Sequence, residues 1–322
     1  MKHFFIVNPA AGRGNKVDFF VDLIRKIGKS RDLDYELYMT EGIGDARRYV
    51  SEMCKGADKE AKLRFYACGG DGTINEVVNG AIGFDGVEVA TVPIGTGNDF
   101  VRNFGSEESF FDLENQIASE AVTCDLMTVN DRYCVNMVNI GFDCEVVART
   151  ARIKRNPLIP GKLAYIFGVI GEFVRQRGVS FRCTIDGICQ GERKFLISLF
   201  ANGGFCGGGF RAAPYAELTD GKMDVCFIRL VKRLQFVKLI GSYKKGLHML
   251  RNDCDDFFEY YKCSDVLLEF DKPQRVCVDG EISEYRSLHM GVVRNAIRFV
   301  LPTNAKMQYE AVPASPFVKV LG

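Results

Sequence analysis

Two patterns of apolar positions alternate along the first 125 residues. His3–Val7, Tyr35–Met39, Leu63–Cys68 and Val87–Pro93 are short runs rich in β-branched and aromatic residues, and they predict strands. Between them Val17, Phe20, Val21, Ile24 and Ile27, and then Ala46, Tyr49, Val50 and Met53, recur at three- and four-residue intervals, as one helix face requires. Strand and helix taking turns predicts parallel strands with right-handed helical crossovers, in which ligands sit at the carboxyl ends of the strands. Past about Asp125 the regular crossovers stop. Tyr133–Gly141, Val179–Asp186, Phe195–Ala201, Asp224–Leu230, Ser264–Phe270, Arg275–Asp279 and Ala296–Leu301 predict strands of a largely antiparallel second domain. Helical patterns near Cys144–Arg155, Gly161–Gln176 and Arg233–Met249 interrupt it. The expected division is 1–124 and 125–302. Pro302 and Pro313 bracket a polar tail, 303–322, whose apolar end Phe317–Leu321 is expected to dock, with the first domain as the surface it packs back on.

Composition changes this picture at few points. A length of 322 residues suits two domains or one large α/β unit, and 47% hydrophobic with 26% charged residues excludes disordered, collagen-like and coiled-coil chains. Lys and Arg number 42 against 41 Asp and Glu, so the surface as a whole is no nucleic-acid footprint. Twelve cysteines from Cys54 to Cys277 form no CxxC pair, and no Cys/His cluster has zinc spacing, which fits a reducing cytosol. The opening MKHFFIVNPAAGRG lacks a signal-peptide core, and no stretch approaches the ~18 apolar residues of a membrane span. Membrane contact is therefore expected to be peripheral.

The candidate chemistry lies in three glycine-rich loops at strand ends. Asn8-Pro9-Ala10-Ala11-Gly12-Arg13-Gly14 follows the first strand and precedes a helix; its glycines permit close backbone approach to a phosphate, although a plain strand-to-helix turn reads equally well. It is neither a Walker A loop nor GxGxxG. Cys68-Gly69-Gly70-Asp71-Gly72-Thr73-Ile74-Asn75-Glu76 surrounds an aspartate with three glycines, a backbone nest for an anion with a carboxylate to hold a metal or a ribose hydroxyl beside it. Pro93-Ile94-Gly95-Thr96-Gly97-Asn98-Asp99-Phe100 repeats the arrangement. On successive parallel strands the three would converge on one crevice.

NPAAG, GGDGTINE and GTGNDF, in that order, resemble the nucleotide loops of the diacylglycerol kinase catalytic family, to which sphingosine and ceramide kinases and bacterial soluble lipid kinases belong. The resemblance continues through Asn139-Ile140-Gly141-Phe142-Asp143, Gly207–Pro214, Leu218-Thr219-Asp220-Gly221-Lys222-Met223-Asp224 and Val278-Asp279-Gly280-Glu281, nearly the whole chain. GGDGT is shared with NAD kinases; GTGNDF and the late DGE triplet favour a lipid kinase. The resemblance implies a Rossmann-like parallel α/β domain of the NAD kinase/diacylglycerol kinase kind, binding ATP without a P-loop, and a mainly antiparallel β-sandwich for the lipid. Asn8 to Gly12, Thr40, Gly69 to Glu76 and Gly95 to Asn98 would line the nucleotide, with Thr40 equally readable as a helix-capping residue. Glu281 would accept the proton of the lipid hydroxyl. Asp279, on the same face if the strand is extended, would orient it or help hold the catalytic Mg2+ with Asp71 and Asp99. The competing reading makes Asp279-Gly280 a hairpin turn. Glu217, Asp220 and Lys222 carry over as a second, structural magnesium site, with a turn at Asp220-Gly221 as the alternative.

The implied activity is ATP- and Mg2+-dependent phosphorylation of a lipid hydroxyl, most simply diacylglycerol to phosphatidic acid. A sphingoid base, ceramide or phosphatidylglycerol could take its place, NAD kinase ranks third, and a non-catalytic nucleotide- or lipid-binding regulator is the different class. The expected setting is cytoplasmic, at the inner membrane surface, without nucleic acid, and nothing excludes a homodimer. Arg149–Arg177, apolar with basic flanks, is the candidate membrane contact or else a cover for the second domain's core. Lys232, Arg233, Lys244, Lys245 and Arg251 read as a solvated helix face.

Overall fold

The apolar runs of the first 125 residues form strands, and the one-faced repeats form helices, in the computed structural model. It describes residues 1–14, 16–154, 167–169, 171–173, 175, 178–251, 257–307 and 318–320. The order is β1 (Lys2–Val7), α1 (Val17–Ser30), β2 (Tyr35–Met39), α2 (Asp45–Gly56), β3 (Leu63–Gly69), α3 (Asp71–Ala81), β4 (Val87–Pro93) and α4 (Leu113–Ala118). The strands pair in parallel in the order β2-β1-β3-β4. α1 and α4 cover one face of this sheet, α1 through Val17, Phe20, Val21, Ile24 and Ile27, while α2 and α3 cover the other. With helices on both faces, β3 and β4 are buried along their whole length.

The second half contains β5 (Ala121–Val129), β6 (Arg132–Cys134), β7 (Met137–Gly141), α5 (Phe142–Lys154), β8 (Val179–Ile185), β9 (Ile188–Ala201) and β10 (Met223–Arg229). After these come α6 (Arg233–Lys244), β11 (Phe258–Cys263), β12 (Asp265–Val278), β13 (Glu281–Val300) and β14 (Val318–Val320). It is a mainly antiparallel β-sandwich. Phe181, Phe195, Phe227, Val266, Leu268, Leu288 and Met290 fill its interior, while α5 and α6 pack outside it over Ile197, Cys226 and Ile228.

β13 belongs to both halves. Its first residues pair with β12, and its last, Arg298 and Phe299, lie parallel to Glu88 and Val89 of β4, with β5 on the other side. Phe299 stacks among Phe100, Phe104 and Phe110 in the core of the first half. Beneath them the Arg64 guanidinium donates to Glu88 and to the carbonyls of Gln116, Ile117 and Ser119, and Arg298 reaches the other Glu88 oxygen at 2.9 Å.

Several segments differ from expectation. Tyr133–Gly141 is two strands, because Val135 and Asn136 turn their N–H groups away from the ladder to a carboxylate. Ser264–Phe270 and Arg275–Asp279 are one strand with an irregularity between Glu269 and Gln274, and Ala296–Leu301 is the end of β13. Asp279 lies outside the strand. The helix expected over Arg233–Met249 stops at Lys244, where Gly246 in the left-handed region (φ 72°) ends it. Of Gly161–Gln176, residues 167–169, 171–173 and 175 are helical and the others lie outside the described residues. The tail starts on the first half, where Lys306 N–H donates to the Phe104 carbonyl and Ala305 joins the core, but Val318–Val320 pairs in parallel with Tyr260–Lys262 at the far sheet edge.

Candidate active site

The three glycine loops meet. Gly12 needs its positive φ of 56°, and a Cβ there would overlap the Ile94 carbonyl, so the first loop packs on the third. Gly95 presses its backbone on Gly70, where a side chain would collide, and donates to the Gly69 carbonyl at 3.0 Å. Asn8 ties the first loop to the second through its amide and the Thr73 hydroxyl, 3.2 Å apart. Asp71 closes the set, accepting from the N–H groups of Asp99 and Phe100 at 3.1 and 3.0 Å. Pro9, Ala10, Gly72 and Thr96 remain exposed around the crevice.

Two expected lining residues do not reach it. Ile74, 1% exposed, sits in the core under α2 and α3. Glu76 instead accepts from Gly44 N–H and Ala46 N–H, capping α2. The N-terminus of α2, beside the buried Thr40, thus already holds a carboxylate.

Asp71 and Asp99 form the charged floor. Burial, and then the neighbouring charge of Asp99, push the Asp71 carboxyl up to about 6; burial also raises Asp99. Two desolvated carboxylates side by side suit a divalent cation, which would relieve both. Among the described residues no three acidic, His or Cys side chains are grouped closely enough to hold a metal by themselves, so phosphate oxygens would complete its shell.

The second half closes the crevice. Gly208 and Gly209 donate their N–H groups to the Asp99 carboxylate at 2.9 and 2.7 Å, a role for the Gly207–Pro214 stretch that spacing alone did not signal. Asp279 and Gly280 form the two-residue turn between β12 and β13, with φ of 45° and 89°. Asp279 and Glu281 therefore do not share one face of an extended strand. Asp279 accepts from the Asn75 amide at 2.7 Å, from the N–H groups of Val135, Asn136 and Met137 at 2.6, 3.0 and 2.8 Å, and from the Cys134 thiol. These five donors saturate a carboxylate's lone pairs, so Asp279 is a clamp between the halves rather than a metal ligand. The Glu281 side chain, 43% exposed, is ion-paired at 2.8 Å to Arg132, a partner the sequence did not reveal.

An apolar cavity of about 330 Å³ lies between α5, α6 and the sandwich, lined by Phe142, Val146, Phe236, Leu239 and Ile240 among others. Its polar groups include Asn139, Asp143, raised to about 6 by burial, and Tyr243, whose hydroxyl donates to Asp143 at 3.5 Å. Cys206 and Gly207 form part of its wall, one residue from the amides that hold Asp99.

The second metal position does not fit a cation. Lys262 Nζ lies 2.7 Å from Asp220 and 3.2 Å from buried Asp224, so an ammonium occupies the charge-balancing place. Lys222 N–H donates to the other Asp220 oxygen, as in the turn reading, and its Nζ to Ser264. Glu217 is a half-buried residue upstream of this turn.

Comparison with known proteins bears on the two-part fold. Residues 2–129 match the diacylglycerol kinase catalytic domain, and 136–301 match the YegS C-terminal NAD kinase beta sandwich-like domain. A chain from Alcanivorax borkumensis named "Probable lipid kinase YegS-like" is 29% identical over 263 residues, covering 80% of this chain and 84% of that one. The crystal structure of a diacylglycerol kinase from Bacillus anthracis shares the fold with a TM-score of 0.68 at 19% identity, over 94% and 97% of the two chains. An NAD kinase from Archaeoglobus fulgidus in complex with ATP shares it more distantly, with a TM-score of 0.50 at 10% identity over 94% of each chain.

Proposed function

Because the chain belongs to the diacylglycerol kinase catalytic family, in the lipid-kinase form that joins this domain to a YegS-type β-sandwich, we propose that it phosphorylates diacylglycerol. The observation that carries the reading is the apolar cavity whose wall continues into the Gly208–Gly209 amides on Asp99. An acyl chain in that cavity leaves its glycerol hydroxyl toward the acid cluster. ATP bound in the crevice would supply the phosphoryl group, and magnesium held beside it would neutralise charge on the transferring oxygens.

Asp71 and Asp99 would hold the metal, and the loops at Gly12, Gly70 and Gly95 the phosphates. Glu281 takes the proton of the acceptor hydroxyl as its oxygen bonds to the γ-phosphorus and the bond to the ADP oxygen breaks. Arg132 orients Glu281, and Asp279 fixes the distance between the two halves. The setting proposed is the inner face of the membrane, met from the cytoplasm; among the described residues no helix is long and apolar enough to cross it.

The test is transfer of labelled γ-phosphate to diacylglycerol, sphingosine, ceramide and phosphatidylglycerol, each with magnesium and with chelator. Labelled phosphatidic acid, lost on chelation, supports the reading. Transfer to another lipid alcohol alone would displace diacylglycerol, and nucleotide binding without any transfer would favour the regulator.

A further inference from the structure

The segment 229–251 contains Arg229, Lys232, Arg233, Lys238, Lys244, Lys245 and Arg251 and not one carboxylate. α6 lies within it and is apolar on two sides. Its inner side, Phe236, Leu239, Ile240 and Tyr243, lines the cavity. Its outer side exposes Leu234 by 80% and Val237 by 58%, beside exposed Leu230. A helix that merely covered a core would carry polar residues there, as the sequence reading expected. Arg149–Arg177, the segment expected to meet the membrane, has spent cations internally: Arg149 is paired with buried Glu172 at 2.7 Å, and Arg175 approaches the same carboxylate. Lys154 and Arg155 fall on residues whose side chains lie outside the description.

Resting on the lipid acceptor proposed above, we infer that the outer face of α6 is the surface by which this protein docks on an anionic bilayer. Leu230, Leu234 and Val237 enter the interface, and Lys232, Lys238 and Lys245 meet headgroup phosphates. Exposed aliphatic side chains interleaved with cations suit a bilayer, which offers both an apolar and an anionic layer; a nucleic acid would use the cations alone. The geometry also explains delivery. The cavity backs onto α6, so a docked helix holds it within about 10 Å, one helix diameter, of the lipid. An acyl chain then moves from bilayer to cavity without crossing water.

The experiment is sedimentation of the full chain with phosphatidylcholine vesicles and with vesicles containing phosphatidylglycerol, without nucleotide, at low and high salt. Wild type should bind the anionic vesicles, and salt should weaken that binding. Lys232→Gln/Lys238→Gln/Lys245→Gln should weaken it by roughly a hundredfold, about fivefold per cation. Leu234→Ser/Val237→Ser should abolish the salt-resistant part. Both variants should keep wild-type circular dichroism and turnover of a short-chain diacylglycerol dispersed in detergent.

Retained vesicle binding in both variants would overturn the assignment, as would an equal loss from Arg152→Gln/Arg175→Gln, or tighter binding to duplex DNA than to anionic vesicles. Because sedimentation needs no turnover, docking without phosphate transfer would sink the kinase substrate and leave the surface standing, while transfer in detergent without docking would do the reverse.

Discussion

Asp279 and Glu281 are separated by one glycine, yet their surroundings give them opposite duties. Glu281 meets one guanidinium and keeps much of its surface open, so Glu281→Gln should lower kcat by at least about a hundredfold while ATP binding and the unfolding midpoint stay put. Asp279 gathers three backbone N–H groups and the Asn75 amide. Asp279→Asn should therefore cost roughly 2–4 kcal/mol in chemical denaturation and lower nucleotide affinity as well, because an amide nitrogen replaces one acceptor and faces donors. Two histidines add a pH signature. Burial, and then the Arg64 charge, pull His3 down to about 4, and burial pulls His248 down to about 3, against 6.5 ordinarily. Below 6.5 the unfolded chain binds protons that the folded chain refuses, so these groups cost nothing above that pH and erode stability as it falls toward 4. Asp71, raised to about 6, works in the opposite sense and loses stability as pH rises from 3.8. Asp143 and Asp224, also raised to about 6 by burial, add to that opposite sense, so the histidine share is read as a difference. In urea unfolding between pH 7.5 and 5, His248→Phe, which can keep the contacts with Tyr243 and Phe258, should gain stability relative to wild type as pH falls.

Elements with one apolar face were legible in the chain, and elements defined by a partner far away were not. α1 buries the five positions its spacing named, and β3 and β4 follow their apolar runs to the residue or within one. By contrast Ile188–Arg193 of β9 and Ile282–Arg286 of β13 are strand despite polar composition, because they extend pairings begun elsewhere. The same division holds in the site. The three loops were readable because each supplies its own glycines, while the cap made by Glu76, the Arg132 partner of Glu281 and the Arg64–Glu88–Arg298 network exist only after folding brings distant strands together. The partner of Asp220 is hidden in the sequence for the same reason: Lys262 comes from β11, forty-two residues on. Thermal unfolding should accordingly show no stabilisation by magnesium through this turn. Lys262→Met should destabilise by about 3–5 kcal/mol, since Asp224 is left buried without its counter-charge, and should make stability respond to added divalent cations.

The largest consequence of scale is that the two halves share a strand. β13 begins at Glu281, in the second half, and ends with Phe299 and Val300 inside the core of the first. The fragment 1–124 would lack the strand beside β4 and the partners of Phe100, Phe104 and Phe110. Expressed alone it should fail to show a cooperative unfolding transition, whereas the full chain should melt as one unit in calorimetry. The same strand also sets a clock on synthesis. β4 leaves the ribosome early, but its neighbour Phe299 follows only after about two hundred further residues, roughly 10–40 s at ordinary elongation rates. For that interval the nascent protein holds out a sheet edge that the finished molecule buries, with no neighbour on that side, so yield should depend on how crowded and how fast translation is.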